Sequence, residues 1–414
     1  MTVVQVPRRF VQSHWGGTES VVLETSRRLL SLGHRTEILT TDALGGMAAE
    51  TIDGVPVRRF PYVYPYLGLS AAARHQLDLK GGNLFSHRLL LALLRYPGLD
   101  ALHLHTGKRL GGIVRTAARL RRIPYVVSVH GGLHDAAGTE AQSYIDPTRG
   151  AFEWGRALGA LVGSRRVMDD AAAVLVLGRR EQQEMQRRHP RTNVVYFPNG
   201  VDPDRFATGD GPGFRARHGI APEDRVLLCV GRLDPQKNQV LAVRLLHALL
   251  ARDSRLRLVL VGHVTNPAYA DAIEAEAAAL GVSGRMTVLK GVAAGSPDLV
   301  DAYHSAQVFL LPSVHEPFGI VILEAWAAGL PVVASRVGGV PDFVRHGMDG
   351  MLADPDDLDA MARATDDLLS SPEAAARLGG EGRARARGEF SWDAATRRLV
   401  GVYEEAVRAH PVRA

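Results

Sequence analysis

Residues Leu311–Ser335 read LPSVHEPFGIVILEAWAAGLPVVAS, and the order of elements in this stretch indicates the fold class. An apolar strand ends at Leu311, a loop and a helix follow, and the chain then enters a second apolar strand. The same alternation of strands and helices runs through both halves of the chain and predicts parallel, doubly wound sheets. Ligands of such sheets bind beyond the carboxyl ends of the strands, so the loop after Leu311 is a candidate binding site.

Two glutamates eight residues apart, Glu316 and Glu324, lie in this loop and in the helix. Between them, Phe318, Gly319 and Ile320 form the helix start, where free backbone N–H groups and the helix dipole attract an anion. Glu316 can accept hydrogen bonds from sugar hydroxyls, and Glu324 has two oxygens for the adjacent hydroxyls of a ribose. The alternative is two incidental surface acids, which the Pro, Phe and Gly between them disfavour.

The stretch resembles the retaining glycosyltransferases of family 4, whose E-x7-E signature Glu316 and Glu324 match. The resemblance covers nearly the whole chain, although the specific motifs lie mainly within residues 228–340. It implies the GT-B fold, an α/β architecture of two Rossmann-like domains whose parallel sheets face each other across a cleft. A C-terminal helix is expected to cross back to the first domain. On this basis we assign Glu316 to catalysis and donor binding, and Phe318, Gly319, Ile320 and Glu324 to donor binding.

A second motif, GRLDPQKN, follows the predicted strand Arg225–Val230 and contains Arg232 and Lys237. Two fixed cations around a helix start can clamp a diphosphate and neutralise the charge that grows on a leaving group. A basic pair in a loop is usually only solvent-exposed. This pair follows a strand where the fold places ligands, and it matches the family's Arg and Lys for the donor pyrophosphate. We therefore assign both residues to donor binding and catalysis.

The first half of the chain offers weaker signals. Gly16 and Gly17 open the first predicted helix, and paired glycines allow backbone N–H groups to approach a phosphate, although a plain tight turn is the alternative. The family has a glycine-rich first loop near the donor diphosphate, so we count both as donor-binding. Lys108 and Arg109 follow a predicted strand and are assigned to an anionic acceptor; the alternative is a solvated loop.

Three histidines, His103, His105 and His130, lie in or just after two predicted strands. They raise the possibility of a metal site, which we disfavour because no carboxylate shares their spacing. We therefore expect no metal ligands. The position of His130 resembles that of the family histidine that contacts the donor sugar, and we assign it to catalysis.

A chain of 414 residues is too long for one core and predicts two domains. We expect an acceptor domain at residues 1–204, joined by the C-terminal helix 392–414, and a donor domain at 205–391. Cys229 is the only cysteine, which excludes disulfides within the chain and fits a reducing compartment. No apolar run reaches the ~18 residues of a membrane span, and no secretory signal is evident. We expect a cytoplasmic protein.

The charge is distributed unevenly. Residues 1–205 hold 27 Lys and Arg against 18 Asp and Glu, whereas the remainder holds 22 against 26. A basic half predicts an anionic partner, such as a phosphate-bearing acceptor, the inner membrane face or nucleic acid. An arginine-rich set of solvated helix faces is the alternative. The basic residues are scattered and no nucleic-acid motif is present, so nucleic acid is disfavoured.

The resemblance implies transfer of a sugar from a nucleotide-diphosphate donor, with UDP the family's commonest nucleotide, to an acceptor hydroxyl. It implies retention of the anomeric configuration, and no metal or other cofactor is expected because Arg232, Lys237 and helix dipoles can replace a cation. The alternative is another enzyme on the same fold, such as a nucleotide-sugar 2-epimerase or a sugar phosphorylase. An epimerase would need no acceptor, and a phosphorylase would need free phosphate.

Overall fold

The computed structural model describes residues 1–131, 148, 150–292 and 296–410. These residues form two compact units. Unit 1 contains the described residues up to Pro198 and those from Ala395 onward, and unit 2 runs from Asn199 to Ala394. Each unit is built on one large sheet. None of the described helices is both long and apolar enough to span a bilayer.

Unit 1 contains an eight-stranded sheet and a small two-stranded one. Its strands are β1 Thr2–Val6, β2 Arg35–Thr41, β3 Ala49–Ile52, β4 Val55–Phe60, β5 Tyr66–Leu67, β6 Ala101–Leu104, β7 Tyr125–Ser128, β8 Phe152–Glu153, β9 Ala173–Val176 and β10 Val194–Tyr196. Its α-helices are Gly17–Ser31, Ala71–Lys80, His87–Arg95, Lys108–Arg121, Arg156–Leu161 and Arg179–Arg188, and most of Trp392–Ala409.

The large sheet of unit 1 has the order β10-β9-β7-β6-β1-β2-β4-β3, parallel except for the hairpin β3–β4. The strand order reverses at β1, whose neighbours are β2 and β6. In a doubly wound sheet, a crevice forms beyond the carboxyl ends of the strands at such a switch point. The segments that follow β1 and β6 therefore border the candidate ligand site of unit 1.

Unit 2 has a six-stranded sheet in which every pair is parallel. Its strands are β11 Arg225–Val230, β12 Leu256–Gly262, β13 Met286–Lys290, β14 Val308–Leu311, β15 Val332–Ser335 and β16 Met351–Ala353. Its α-helices are Gly211–Arg217, Gln239–Leu250, Pro267–Ala279, Pro297–Ser305, Ile320–Ala327, Val340–Phe343, Leu358–Ser370 and Pro372–Gly388, followed by the start of Trp392–Ala409.

The sheet of unit 2 has the order β13-β12-β11-β14-β15-β16, which is the strand order of a Rossmann fold. Its central strands are buried along their length because helices cover both faces. The switch point lies between β11 and β14. This topology brings the loops after these two strands, which carry the GRLDPQKN and HEPFG motifs, to the same edge of the sheet.

The predicted doubly wound α/β fold is confirmed, and most strands agree with the sequence prediction to within one or two residues. The hairpin of β3 and β4 was not predicted, nor was the helix Pro372–Gly388. The edge strand β3 has four residues, of which only Ile52 is buried, and β4 contains a proline and two arginines, so neither has the apolar run that marks a central strand.

Trp326 anchors the helix that begins at the candidate site. The side chain is fully buried, its Nε1 donates a hydrogen bond to the Asp349 carbonyl at 2.8 Å, and its ring packs against Phe343 and Phe390. We expect Trp326→Ala to lower the free energy of unfolding by about 3–5 kcal/mol, because it opens a large cavity and leaves a carbonyl without its donor. Chemical denaturation followed by circular dichroism measures this change.

The control for this variant is Met348→Ala, since Met348 is 52% exposed in the same unit. It should leave the unfolding midpoint nearly unchanged. Equal effects of the two substitutions would contradict the anchoring role of Trp326.

Candidate active site

In unit 2, the loop after β11 is held so that Lys237 faces the loop after β14. The Leu233 N–H donates to the His263 carbonyl at 2.8 Å, which fixes the loop against the end of β12. A short 3-10 turn, Pro235–Lys237, follows, and the carboxylate of Asp234 accepts a backbone hydrogen bond at its start. The Asp234 cap and the 3-10 turn together orient the Lys237 side chain toward Glu316.

Lys237 and Glu316 form an ion pair across the switch point. The ammonium group bonds to Glu316 Oε2, and the Ser313 hydroxyl donates to the same oxygen at 3.3 Å. The two side chains are only 14% and 7% exposed, so solvent and salt screen their attraction weakly. The structure thus brings together two residues that the sequence predicted in separate motifs.

Arg232 stands beside this pair with half of its side chain exposed to solvent. Its Nη2 donates to Gln236 Oε1 at 3.1 Å, and its Nη1 lies 4.0 Å from an Asp234 carboxylate oxygen. Gln236 in turn donates to the His315 carbonyl at 3.0 Å, which ties the loop after β11 to the loop after β14. The guanidinium group of Arg232 is therefore presented at the sheet edge on an ordered support.

The helix start after Glu316 has the geometry of an anion-binding turn. Gly319 is the N-cap of the helix Ile320–Ala327 and has a φ of +98°, in the left-handed region that favours glycine. The first N–H groups of a helix have no partner in a preceding turn, and here that of Ile322 donates to the carbonyl of the N-cap residue, Gly319, at 2.9 Å. Phe318 is buried, with its ring 4.5 Å from that of Phe343, so its ring belongs to the core and is not exposed at the sheet edge.

The loop after β15 packs directly on the backbone of Glu316. Gly339 N–H donates to the Glu316 carbonyl at 3.1 Å. Gly338 has a φ of +52°, and a Cβ at this position would lie 2.0 Å from the same carbonyl oxygen. Only glycine fits here. In the sheet, β14 lies between β11 and β15, so Glu316 is held by the Lys237 loop on one side and by the Gly338 loop on the other.

Glu324 is held by a residue that the sequence analysis missed. Tyr303, on the helix before β14, donates its hydroxyl to Glu324 Oε2 at 2.7 Å. Burial raises the pKa of Glu324, and the hydrogen bond from Tyr303 opposes that shift. One carboxylate oxygen is therefore fixed by the protein. The local sequence could not have indicated this pair, because the pattern around Tyr303 predicts only an aromatic residue packed in the core.

In unit 1, Gly16 and Gly17 lie at the helix start, as predicted, but the N–H of Gly16 already has a hydrogen-bond partner within the protein. Gly16 N–H donates to Glu19 Oε2 at 3.1 Å, and the other oxygen of that carboxylate accepts from Arg9 Nε at 3.3 Å. Glu19 thus caps its own helix. A phosphate contact of the Gly16 N–H would have to displace this carboxylate, and the assignment of both glycines stays a prediction.

Lys108 lies beside a second cation at the switch point of unit 1. Arg8, directly after β1, donates to the carbonyl oxygens of Leu77 and Asp78, while Lys108 Nζ donates to the Gly81 carbonyl at 3.0 Å. Burial, and then the charge of Arg8, lower the pKa of Lys108. The position of Arg8 after a central strand was the signal for it in the sequence. Two neighbouring cations here are suited to an anionic ligand.

Arg109 occupies a different environment from its neighbour. The residue is 2% exposed and lies in the first turn of the helix Lys108–Arg121, not in a solvated loop. Its guanidinium donates to the carbonyl oxygens of Asn83 and Gly155 and pairs with Glu153. These bonds join three segments of unit 1, so the observed role of Arg109 is structural. Its assignment to the acceptor stays a prediction.

The three histidines of unit 1 form one polar cluster. His105 Nδ1 lies 2.9 Å from His130 Nε2, and His103 and His105 have ring centroids 4.1 Å apart. Burial lowers the pKa of His130 to about 4 and that of His103 to about 3, so both are neutral at pH 7. Among the described residues, no group of three His, Cys, Asp or Glu side chains is placed to hold a metal ion.

The fold has two Rossmann-like units, and charged side chains lie at the switch point of unit 2, which is where enzymes of this class bind ligands. Family models agree with this class: "Glycosyl transferase 4-like domain" matches residues 16–200, and "Glycosyl transferases group 1" matches residues 212–385. The chain belongs to these glycosyltransferases of the family 4 type, which have the GT-B fold.

Relatives named as D-inositol 3-phosphate glycosyltransferases match over nearly the whole chain. D-inositol 3-phosphate glycosyltransferase 2 of Catenulispora acidiphila is 32% identical over 408 residues, covering 95% of this chain and 90% of the relative. The D-inositol 3-phosphate glycosyltransferase of Thermobispora bispora is also 32% identical, with 95% and 91% covered. The solved structure of Anabaena HepE in complex with UDP has a TM-score of 0.71 at 19% identity, covering 98% of this chain and all of that one.

The Lys237–Glu316 pair can be tested by its energetics. We expect Lys237→Met to lower the free energy of unfolding by about 3 kcal/mol, because it leaves a carboxylate largely buried without its cation. The double variant Lys237→Met/Glu316→Gln should recover part of this loss. A double-mutant cycle in urea measures the coupling.

The matched control is Lys290→Met, which breaks the exposed pair of Lys290 with Glu274 in the same unit. It should change stability little, because solvent screens exposed pairs. If Lys237→Met were no more destabilising than Lys290→Met, the pair would not hold the two loops together.

Proposed function

We propose that this glycosyltransferase moves a sugar from a nucleoside diphosphate sugar to an acceptor hydroxyl, with retention of configuration and without a metal ion. The observation that carries the proposal is the grouping of Arg232, Lys237 and the helix start at Gly319 at the switch point of unit 2. Two cations and a helix N-terminus suit a diphosphate. Glu324, with one oxygen held by Tyr303, is suited to accept from ribose hydroxyls.

We propose uridine diphosphate as the nucleotide. The support is the resemblance in sequence, together with solved neighbours of the same fold that contain UDP, such as Anabaena HepE with UDP-glucose. The neighbour starch synthase IV of Arabidopsis was solved with ADP instead, so the fold alone does not select the base.

In the proposed mechanism, the departing diphosphate oxygen takes the proton of the acceptor hydroxyl, which attacks from the same face of the sugar. Negative charge grows on the leaving phosphate, and Arg232 and Lys237 neutralise it. Such preorganised charges contribute about 3–4 kcal/mol each at oxyanion sites. Glu316 accepts hydrogen bonds from the donor sugar, and its pairing with Lys237 fixes its orientation. His130 also binds the sugar, as the resemblance implies.

We propose that the acceptor is a phosphorylated polyol, of the inositol phosphate type. The relatives named above are D-inositol 3-phosphate glycosyltransferases, and unit 1 carries the neighbouring cations Arg8 and Lys108 at its own switch point. An acceptor phosphate would relieve the repulsion between these cations. The positive balance of the first half of the sequence agrees with an anionic acceptor.

Binding of UDP, GDP, ADP and their glucose conjugates in the presence of EDTA tests the donor proposal. A ligand at 100 times its Kd adds about 2.7 kcal/mol of stability, which raises the thermal midpoint measurably. We expect the uridine series to do so. Arg232→Ala should abolish the shift and lower kcat about 100-fold or more, because a cation that contacts the leaving phosphate is lost.

The matched control for Arg232 is Arg244→Ala, which removes an equally exposed arginine of unit 2 that pairs with Glu276. It should bind and turn over donor normally. NMR of the product reports the anomeric configuration. An inverted product, dependence on a metal, or conversion of the donor without an acceptor would each overturn the corresponding part of the proposal.

The acceptor proposal predicts a selective effect of Lys108→Met. We expect its KM for inositol 3-phosphate to rise at least tenfold, with little change in the KM for the donor, because one charge facing the acceptor phosphate is lost. Arg119→Ala, an exposed arginine of the same helix, is the control. Equal use of inositol and inositol 3-phosphate by the native enzyme would exclude a phosphate site.

A further inference from the structure

A continuous chain of hydrogen bonds runs through the interior of unit 1 and ends at His130. Gln5 Nε2 donates to the Tyr403 hydroxyl at 3.3 Å, and Gln5 Oε1 lies 2.7 Å from His105 Nε2. His105 Nδ1 lies 2.9 Å from His130 Nε2. Gln5, His105 and Tyr403 are buried, so water cannot substitute for any of these partners.

The tautomer of His105 follows from the chemistry of its partners. The amide oxygen of Gln5 can only accept, so the proton of neutral His105 is on Nε2. Burial holds the pKa of His105 well below its usual range, which keeps the ring neutral and leaves Nδ1 with a lone pair. The nitrogen of His130 that faces this lone pair must therefore carry a proton.

The Tyr403 hydroxyl is the partner of the Gln5 amide on the side away from His105. It lies 2.6 Å from His103 Nδ1, and His103 Nε2 lies 2.8 Å from the Ser128 hydroxyl. A tyrosine hydroxyl that donates to His103 can accept from the amide nitrogen of Gln5. The opposite orientation of the amide would reverse every proton in the chain, so the two arrangements predict opposite tautomers of His130.

We propose that Gln5 and His105 are positioning residues that hold His130 as the Nε2–H tautomer, leaving its Nδ1 as a hydrogen-bond acceptor. His130 then receives a hydrogen bond from a sugar hydroxyl instead of donating one. This consequence for catalysis rests on the proposed function, in which His130 binds the donor sugar. The tautomer itself is independent of that function.

Two-bond ¹H–¹⁵N correlation spectra of the whole protein with ¹⁵N-labelled histidine test the proposal, because they identify which ring nitrogen carries the proton. We expect native His130 to be protonated at Nε2. Protonation at Nδ1 would overturn the proposal without any variant. The His130 signals are assigned by their loss in His130→Gln.

Gln5→Met removes both polar atoms and keeps the length of the side chain. It should give a mixture of His130 tautomers and lower kcat about 10- to 100-fold, by analogy with the loss of residues that orient metal-bound histidines. The KM for the donor should change less than kcat. Tyr403→Phe removes only a hydroxyl and should also give a mixture of His130 tautomers. It replaces Gln5→Met as the test variant if Gln5→Met does not fold.

Tyr125→Phe is the matched control, since it also removes one buried tyrosine hydroxyl of unit 1, which donates to the Val167 carbonyl outside the hydrogen-bond network from Ser128 to His130. It should leave the His130 tautomer unchanged. An unchanged tautomer in both Gln5→Met and Tyr403→Phe would overturn the proposal. The expected tautomer in a protein without transferase activity would support the positioning role and refute the proposed function instead.

Discussion

The arrangement of unit 2 depends on the ion pair between Lys237 and Glu316. The two residues are 79 positions apart in sequence, and they meet because β11 and β14 are neighbours at the point where the strand order reverses. The pair is shielded from solvent, and Ser313 gives the carboxylate a second partner. Beside it, the loop after β15 packs on the backbone of Glu316 so closely that a side chain at Gly338 would clash with the Glu316 carbonyl. A ligand at this edge would therefore meet groups that are already in position, which lowers the entropic cost of binding.

A comparable constraint acts in unit 1, where it is made by neutral polar groups. His103, His105 and Gln5 are buried among apolar strands, and burial of such groups is tolerated only when each has its partners. Tyr403 completes the network from the C-terminal helix, whose residues from Ala395 onward belong to unit 1. The predicted return of this helix to the first domain is thus confirmed. Its docking does more than cover apolar surface, because it sets the hydrogen-bond pattern beneath His130.

The two units present different chemistry at equivalent places of related sheets. Unit 2 offers one cation held by a carboxylate and another that is half exposed, beside a helix start. Unit 1 offers neutral histidines and the neighbouring cations Arg8 and Lys108. The charges of unit 2 agree with a donor whose departing diphosphate must be neutralised. The cations of unit 1 agree with an acceptor that is recognised by its own charge. Both sets depend on the carboxyl ends of parallel strands, where the backbone already favours anions.

By itself, the sequence determined the fold class, the course of most strands and the two motifs of unit 2. These features are local: apolar runs define strands, and glycines and prolines mark the turns between them. The tertiary structure alone decided which side chains meet. Arg109 was predicted to bind an acceptor, yet it is buried in bonds to Asn83, Gly155 and Glu153. Tyr403 and His103 are 300 residues apart. Hydrogen-bond partners of this kind depend on strand order and helix docking, which leave no periodic pattern in the chain.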